Sequence, residues 1–300
     1  MAKVLITGAT GLIGSRLTEM LKDSGHIVVH MGRGEKKDTD VPQYMWDVQK
    51  GKLDEAAFEG VTTIIHLAGA SIADKAWTDE RKKEILDSRI KSAGLLHKFL
   101  QKGQHSVDTF ISASAVGYYG DRGAEVLTED MPKGEGFLAE VCSKWEDAAI
   151  DIGKLGIREV SIRIGIVLAK EGGALPELAR TVPVGIAPYF SKDNLYYPWV
   201  HIDDVCGIMM HAVNNKQMNG AYNATGPKPL LIKDLMQDIL TARNSRALLI
   251  PTPSIAIKIA LGDRQELVLS SQNCSDKKVR ATGYQFKYTT ALKALQQIYA

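Results

Sequence analysis

Cysteine is scarce in this chain, and long apolar runs are missing. Three cysteines occur among 300 residues, far apart, with no CxxC pair and no metal-ligand spacing to a histidine. This usage is typical of a reducing compartment and argues against a disulfide framework. No apolar stretch approaches the length of a membrane span, and no basic segment with an apolar run and a cleavage site precedes the first strand. We therefore expect a soluble cytoplasmic protein with no signal peptide and no membrane partner.

Charge of one sign is also lacking. The chain carries 37 basic and 35 acidic side chains, for a net charge of +2. Its charged runs, Glu35–Lys37 and Glu80–Lys83, are short, and a solvated loop or helix face explains them better than a nucleic-acid surface. We therefore expect no nucleic-acid partner. A hydrophobic content of 45% over 300 residues is enough for one large or two modest domains.

The first informative motif lies near the N-terminus, where a predicted strand, a glycine turn and a predicted helix follow one another. Lys3–Ile6 is a short apolar run, and an apolar helical pattern begins at Leu12. In this context a glycine triplet predicts a dinucleotide site, because glycine lets the backbone approach a pyrophosphate and the helix start offers free N–H groups. An ordinary glycine turn is the alternative. The predicted contacts are Gly8, Thr10, Gly11, Leu12, Ile13 and Gly14.

Apolar runs alternate with helical patterns along much of the chain. The clearest helices are predicted at Glu80–Leu100 and Phe137–Leu155, and a further helix at Asp203–Val213. Strands are predicted at Lys3–Ile6, Ile27–Met31, Thr63–Leu67, Thr109–Ser112, Val160–Ile164 and Gly220–Asn223. Such alternation predicts an α/β fold with a doubly wound parallel sheet that helices cover on both faces.

Prolines and glycines interrupt the chain after Gly165. Residues 166–199 are predicted to be rich in loops, and short helices separated by prolines follow from Leu230 onward. We predict a dinucleotide-binding domain at residues 1–165, completed by 200–225. A smaller, mostly helical lobe would comprise residues 166–199 and 226–300, and a ligand would lie between the two parts.

The end of the second predicted strand bears on the choice of cofactor. NAD enzymes usually carry an acidic residue about 20 positions after the glycines, whereas NADP enzymes place an arginine nearby. Arg33 lies in that window and could meet a 2′-phosphate with two parallel hydrogen bonds, which favours NADP. Glu35 and Asp38 are the alternative, since either could hold a ribose hydroxyl of NAD.

Two further segments are predicted to contact the cofactor. Asp47 and Val48 follow an apolar-leaning stretch and suit the adenine amino group, although an exposed loop aspartate is the competing interpretation. Leu67, Ala68 and Gly69 end a predicted strand, and small residues there would let the cofactor pass close to the backbone. Packing alone would explain these small residues equally well.

Together these segments resemble the extended short-chain dehydrogenases/reductases, through Thr7–Gly14, His66–Ala70 and Ser112–Gly120. The chain resembles most closely an atypical branch, the "epimerase family" proteins, which are similar to nucleotide-sugar epimerases. The segments that carry this closer resemblance are Phe137–Ala139, Trp145–Glu146, Arg163–Leu168, Gly172–Gly173, Trp199–Asp204, Asn223–Pro227 and a closing domain of unknown function near Pro251–Leu295. The resemblance implies a Rossmann-type domain, an NADP-type cofactor and a small C-terminal substrate lobe.

The resemblance also implies a catalytic tyrosine with a lysine four residues later, and this pair is missing from Phe137–Leu155. An alignment on the glutamate that usually follows the lysine puts Leu138 and Cys142 at the two positions. An alignment on Lys144 instead puts Glu140 at the position of the tyrosine. We interpret Cys142 as a buried small apolar residue rather than as a nucleophile.

Other residues remain as candidates for the chemistry. Ser114 is the preferred donor to a substrate oxygen and Tyr119 or Tyr118 the proton donor, because they follow a strand whose C-terminal end would face the ligand crevice. Loop packing of both tyrosines is the alternative. Arg89 stands where the family often has an asparagine, and we assign it to the cofactor site. Trp145 lies on the apolar arc of its helix and is interpreted as core packing.

His201, Asp203 and Asp204 could suggest a metal site or a His–Asp dyad. An aspartate at the start of a helix is a common cap, and a histidine before it often only packs, so capping explains the motif better. We predict no metal.

The sequence therefore favours an NADP-dependent oxidoreductase or epimerase acting on a hydroxyl- or carbonyl-bearing small molecule, with a nucleotide sugar as one candidate. The missing tyrosine and lysine motivate the alternative, a catalytically silent dinucleotide-binding regulatory or scaffold protein. The oligomeric state is left open, with a homodimer as one option.

Overall fold

The computed structural model describes residues 1–34 and 40–300, and Glu35 and Asp38 lie outside this part. Its strands are β1 (Lys3–Thr7), β2 (Ile27–Gly32), β3 (Gln43–Asp47), β4 (Lys52–Leu53), β5 (Thr63–His66), β6 (Thr109–Ala115), β7 (Val126–Leu127), β8 (Arg158–Ile164), β9 (Ile166–Leu168), β10 (Ile186–Ser191), β11 (Tyr196–Tyr197), β12 (Trp199–His201), β13 (Gly220–Ala224), β14 (Leu230–Leu231), β15 (Leu248–Pro253) and β16 (Asn273–Cys274). Its α-helices are α1 (Leu12–Asp23), α2 (Asp79–Leu100), α3 (Phe137–Gly153), α4 (Leu175–Leu178), α5 (Ile202–Asn214), α6 (Ile232–Ala242), α7 (Ser254–Leu261), α8 (Glu266–Leu269), α9 (Lys277–Ala281) and α10 (Ala291–Tyr299). Tight 3₁₀ turns lie at Glu55–Phe58, Val116–Tyr119, Val182–Val184 and Gly262–Gln265.

Eight of these strands form the central sheet, in the order β13-β8-β6-β5-β1-β2-β3-β4. All neighbours run parallel except β3 and β4. Helices α1 and α5 pack together on one face, and α2 and α3 pack together on the other. This arrangement confirms the predicted doubly wound α/β fold. It also brings the C-terminal ends of β1, β5 and β6 to one edge, where such sheets bind ligands.

The strands of the sheet are apolar because both faces are covered. Val4 and Ile6 of β1 face the layer of α1 and α5, whereas Leu5 belongs to the core beneath α2 and α3. Strands buried on both faces are near-continuous apolar runs, which made β1, β5 and β6 predictable from the sequence. Strand β3 was not predicted, because its QYMWD segment is partly exposed and mixes polar with apolar residues.

A second core lies in the C-terminal part of the chain, where α6 and α10 pack together and β10 pairs with β15. The prolines predict loops over residues 166–199, yet four short strands, β9–β12, occur there. Prolines such as Pro188 and Pro251 are tolerated because β10 and β15 form a two-stranded sheet, in which both strands are edge strands. The residue ranges given above for the dinucleotide-binding domain and the smaller lobe stay a prediction.

Within residues 1–34 and 40–300, no helix combines the length and the apolar character needed to cross a membrane. Cys142, Cys206 and Cys274 are all buried and free, as expected of cysteines that serve as small core residues.

Candidate functional site

The turn between β1 and α1 and the first turn of α1 leave no room for side chains at two glycines. Gly8 has a φ of +72°, and a Cβ there would lie 2.8 Å from the backbone nitrogen of Ala68. A Cβ on Gly14 would lie 2.4 Å from the carbonyl oxygen of Gly8. Both clashes are with backbone atoms, which cannot move away cheaply. The turn therefore needs glycine for its own shape.

The start of α1 is open to an anion. Gly11 is the N-cap residue and offers no side-chain cap, and the first turn contains no acidic residue. The first helical hydrogen bond runs from the nitrogen of Ser15 to the carbonyl oxygen of Gly11 at 2.9 Å. The N–H groups of Leu12, Ile13 and Gly14 consequently have no partner within the helix. Thr10 and Gly11 are exposed beside them, and free N–H groups at the start of a helix favour an anion.

A buried chain of hydrogen bonds fixes the ends of β1 and β5 relative to α2. The Thr7 hydroxyl lies 2.7 Å from Nδ1 of His66, and the Ser92 hydroxyl lies 3.0 Å from Nε2. Burial, aided by the positive charge of Arg89, lowers the pKa of His66 to about 3, so the ring is neutral. The backbone nitrogen of Ala68 also donates to the Thr7 hydroxyl at 3.3 Å. This chain positions Leu67, Ala68 and Gly69 directly behind the glycine turn.

The residues predicted to bind the adenosine half lie at the ends of neighbouring strands. Arg33 is exposed and directly follows β2, and Asp47 ends β3, which pairs with β2. An Asp47 carboxylate oxygen accepts a hydrogen bond from the backbone nitrogen of Lys50 at 3.0 Å, which lowers the pKa of Asp47. Val48 packs against the core beneath α2. Asp47 therefore closes its own turn, and Arg33 is the freer of the two side chains.

Arg89 lies at the same edge of the sheet, in the middle of α2. It is buried, and its Nη1 donates to the carbonyl oxygens of Ala70 at 3.1 Å and Ile85 at 2.9 Å. Its guanidinium stacks over the Trp145 ring, 4.7 Å from the centroid. Trp145 is therefore a buried packing residue, as its place on α3 predicts, and it also supports Arg89.

Three polar side chains lie side by side across β6, β8 and β13, where Ser114 pairs with Arg163 and Arg163 with Asn223. The Ser114 hydroxyl donates to the Glu146 carboxylate at 2.6 Å. Arg163 donates to the same carboxylate from Nε at 2.9 Å and from Nη2 at 2.8 Å. Burial alone would lower the pKa of Arg163, but these hydrogen bonds hold it above its ordinary value. We call Ser114, Tyr119, Glu146, Arg163 and Asn223 the buried arginine network.

The two tyrosines differ in their surroundings. Tyr119 is fully buried, and its hydroxyl donates to Oδ1 of Asn223 at 2.7 Å while accepting from Nη1 of Arg163 at 2.9 Å. Burial raises the pKa of Tyr119. Tyr118 is half-buried at the edge of the network, and its ring lies 3.6 Å from the Arg163 guanidinium.

This geometry argues against two of the three catalytic candidates, and all three assignments stay predictions. Ser114 does not fit the role of a substrate-oxygen donor, because its proton is directed to a buried carboxylate. Tyr119 does not fit the role of a proton donor, because its hydroxyl is enclosed by Asn223 and Arg163. Tyr118 stays a candidate.

The positions that would hold the missing tyrosine and lysine are apolar. A Cβ on Gly117 would lie 3.2 Å from Cβ of Leu138 and 3.7 Å from the sulfur of Cys142, so this face of α3 packs on the turn after β6. Burial raises the pKa of the Cys142 thiol to about 12, which makes it a poor nucleophile. The alternative pair, Glu140 and Lys144, forms a half-exposed ion pair at 3.0 Å.

His201, rather than Asp203 or Asp204, caps α5. Nδ1 of His201 accepts from the backbone nitrogen of Asp203 at 3.0 Å, and the Asp203 carboxylate pairs with Arg16 at 2.8 Å. The capping interpretation was thus right about the helix start but named the wrong residue type. In the part of the chain that the structure describes, no group of three or more histidine, cysteine, aspartate or glutamate residues could hold a metal ion.

The pairing of Glu146 with Arg163 was missed by the sequence analysis. The two residues lie on different elements, and neither spacing nor periodicity connects a helix residue to a strand residue 17 positions later. One signal was present: a serine, an arginine and an asparagine each stand near the end of a largely buried strand. Polar residues at such positions require partners.

The fold and the glycine turn together define a dinucleotide-binding protein of the Rossmann type. The family model described as the NAD dependent epimerase/dehydratase family matches residues 4–225. A domain of unknown function, DUF1731, matches residues 252–298. The chain therefore belongs to the NAD dependent epimerase/dehydratase family, which confirms the resemblance, including its closing domain.

Relatives match nearly the whole chain. The Arabidopsis thaliana epimerase family protein SDR39U1 homolog, named as chloroplastic, is 32% identical over 98% of this chain and 86% of its own. The crystal structure of human epimerase family protein SDR39U1 (isoform 2) with NADPH is 28% identical, with a TM-score of 0.88 and 99% of both chains covered. A nucleoside-diphosphate sugar epimerase from Corynebacterium glutamicum is 30% identical, with a TM-score of 0.80, covering 99% of this chain and 58% of its own.

Proposed function

We propose that this protein is an NADP(H)-dependent oxidoreductase that acts on a hydroxyl- or carbonyl-bearing small molecule. The observation that carries the proposal is the glycine turn, whose shape excludes side chains and whose helix start has free N–H groups. Arg33 at the end of β2 supports NADP over NAD. The human relative was solved with NADPH, which agrees with this choice.

The residues of the chain divide the work of binding and proton transfer. The N–H groups of Leu12 and Ile13 would hold the diphosphate, and the segment after β5 would lie along the cofactor. The bound nicotinamide supplies hydride transfer. Tyr118 is the candidate proton donor, because a phenol can protonate a carbonyl oxygen and this ring stands at the edge of the buried arginine network. The network itself fixes the end of β6 and leaves Arg163 against the Tyr118 ring.

A cleft of about 780 Å³ at the start of α3 is our candidate for the substrate. Residues from both parts of the chain line it, among them Phe137 from the sheet domain and Glu266 from the C-terminal part. Lys82, Lys192 and Lys258 also line this cleft. Lys82 pairs with Asp263 and Lys192 with Asp121, and Glu135 also lines the cleft, so its charges do not select an anionic substrate. A nucleotide sugar is one candidate substrate. The name of the Corynebacterium relative agrees with that substrate class.

A second function is favoured by a separate observation. Ser114 and Tyr119 are engaged in the buried arginine network, and Leu138 and Cys142 replace the usual tyrosine and lysine. A protein that binds NADPH without using it, as a regulator or scaffold, would tolerate all of these changes.

A turnover assay distinguishes the two proposed functions. Purified protein is incubated with NADPH and a panel of carbonyl compounds and 4-keto nucleotide sugars, and NADPH oxidation is followed by absorbance. We expect turnover that Tyr118→Phe lowers at least tenfold without loss of NADPH binding. Turnover that Tyr118→Phe leaves unchanged would remove Tyr118 from the mechanism. If the protein binds NADPH but oxidises it in none of the mixtures, the non-catalytic regulatory or scaffold function is supported instead.

A further inference from the structure

Arg89 is a buried cation without an anionic partner in the described part of the chain. Three arginines there are less than a tenth exposed: Arg81, Arg89 and Arg163. Arg81 pairs with Glu84 at 2.6 Å, and Arg163 pairs with Glu146. The hydrogen bonds of Arg89 go only to carbonyl oxygens, and its Nε has no partner among the described residues. A guanidinium buried in this way costs stability, and its remaining N–H donors are left without acceptors.

The position of Arg89 indicates where its remaining N–H donors find acceptors. A Cβ on Gly69 would lie 3.1 Å from Cζ of Arg89, so the guanidinium presses against the backbone directly after β5. Along the edge of the sheet, the order β2-β1-β5-β6 places Arg33 first, the glycine turn next and Arg89 beyond it. A dinucleotide with its 2′-phosphate at Arg33 and its diphosphate at the glycine turn would extend its second half over β5 toward β6.

We propose that Arg89 holds the nicotinamide-side ribose of the bound cofactor, by donating hydrogen bonds to its hydroxyl oxygens. This inference rests on the proposed function. The ring of Trp145 and the carbonyl oxygens of Ala70 and Ile85 keep the guanidinium in one orientation before the cofactor arrives. Arg89 thus gives the crevice a fixed cation, although Cys142 stands where the family resemblance implies a lysine.

The proposal predicts opposite effects on the free and the loaded protein. Arg89→Met keeps much of the apolar stem and removes the unpaired charge, so the ligand-free variant should unfold at the same urea concentration as the wild type or at a higher one. Its affinity for NADPH should fall at least tenfold. A purely structural arginine would give the reverse pattern, with lower stability and unchanged affinity.

The binding of a cofactor fragment shows which half of the cofactor Arg89 contacts. Adenosine 2′,5′-bisphosphate carries the adenosine half and the 2′-phosphate but no nicotinamide ribose. Calorimetric titrations of the wild type and Arg89→Met with NADPH and with this fragment should show a loss for NADPH alone. Arg158→Met is the matched control. Arg158 also donates to carbonyl oxygens, and its Nε has no partner among the described residues. It lies at the start of β8, however, and therefore at the edge of the sheet opposite to the glycine turn. Its NADPH affinity should not change.

Arg89→Lys keeps the charge and should retain more NADPH affinity than Arg89→Met, which also tests the proposal if the methionine variant fails to fold. The inference is overturned if Arg89→Met weakens NADPH and the fragment equally, or if neither variant changes the affinity for NADPH. If the wild-type protein binds both NADPH and the fragment only poorly, the proposed function is overturned, and this inference with it.

Discussion

The buried ion pair between Glu146 and Arg163 allows a quantitative prediction. The exposed fractions of the two side chains are 9% and 4%, and two hydrogen bonds of 2.9 and 2.8 Å join them. Glu146→Ala would leave the guanidinium buried without its carboxylate and would take away the acceptor of the Ser114 hydroxyl. Removing one partner of a buried pair costs about 3–5 kcal/mol. This is a large part of the roughly 5–15 kcal/mol that usually separates a folded domain from its unfolded state.

The assay is equilibrium unfolding in urea, followed by circular dichroism. We expect the midpoint of Glu146→Ala to fall in proportion to the lost free energy, with an unchanged dependence on urea concentration. Glu140→Ala is the control on the same helix, because the ion pairs of Glu140 are half-exposed and its removal should change nothing measurable. In the double variant Glu146→Leu/Arg163→Met, which removes both charges, we expect much of the stability to return. A loss below about 1 kcal/mol for Glu146→Ala would refute the assignment of this pair as a stabilising element of the site.

Three further predictions concern the cofactor site and its support. Gly14→Ala should weaken NADPH binding at least tenfold in a calorimetric titration, because its Cβ would lie 2.4 Å from the carbonyl oxygen of Gly8. Gly94→Ala, at a helical glycine with open space around it, should bind normally. Arg33→Ala should weaken NADPH about tenfold and NADH little, as expected for the loss of a charge-assisted contact to the 2′-phosphate; equal losses would contradict this role. The pKa of His66 is about 3 in the folded state against 6.5 in the unfolded state, so the unfolded state binds the extra proton between these values. Stability should therefore fall as pH drops through this window, by about 1.4 kcal/mol per pH unit, and His66→Gln should flatten that slope in urea unfolding.

The glycine turn could be predicted from the sequence because the strand, the glycines and the helix that form it lie in one short segment. A strand, a glycine turn and a helix occur within Lys3–Asp23, and the conformation of Gly8 and the close approach at Gly14 follow from that short segment. The parallel sheet was predictable for a similar reason, since strands covered on both faces are continuous apolar runs. The edge strand β3 lacks such a run and was missed.

The polar interior of the site could not be predicted in the same way. Ser114, Arg163 and Asn223 are far apart in the sequence and meet only because β6, β8 and β13 pair in one register. Glu146, the common partner of Ser114 and Arg163, comes from a helix on the face of that sheet. Tyr119 connects Arg163 to Asn223. A motif comparison assigned Ser114 and Tyr119 to catalysis, because it compares residue types and not the partners that those residues acquire. Burial and hydrogen bonding decide between the two roles.

The central claim is that NADP(H) binds with its diphosphate on the glycine turn, and a crystal structure of the protein with NADPH tests it most directly. We expect the diphosphate oxygens within hydrogen-bond distance of the backbone nitrogens of Leu12 and Ile13, the 2′-phosphate at Arg33, and the nicotinamide-side ribose at Arg89. A dinucleotide bound elsewhere, or one whose diphosphate makes no contact with the start of α1, would contradict the account.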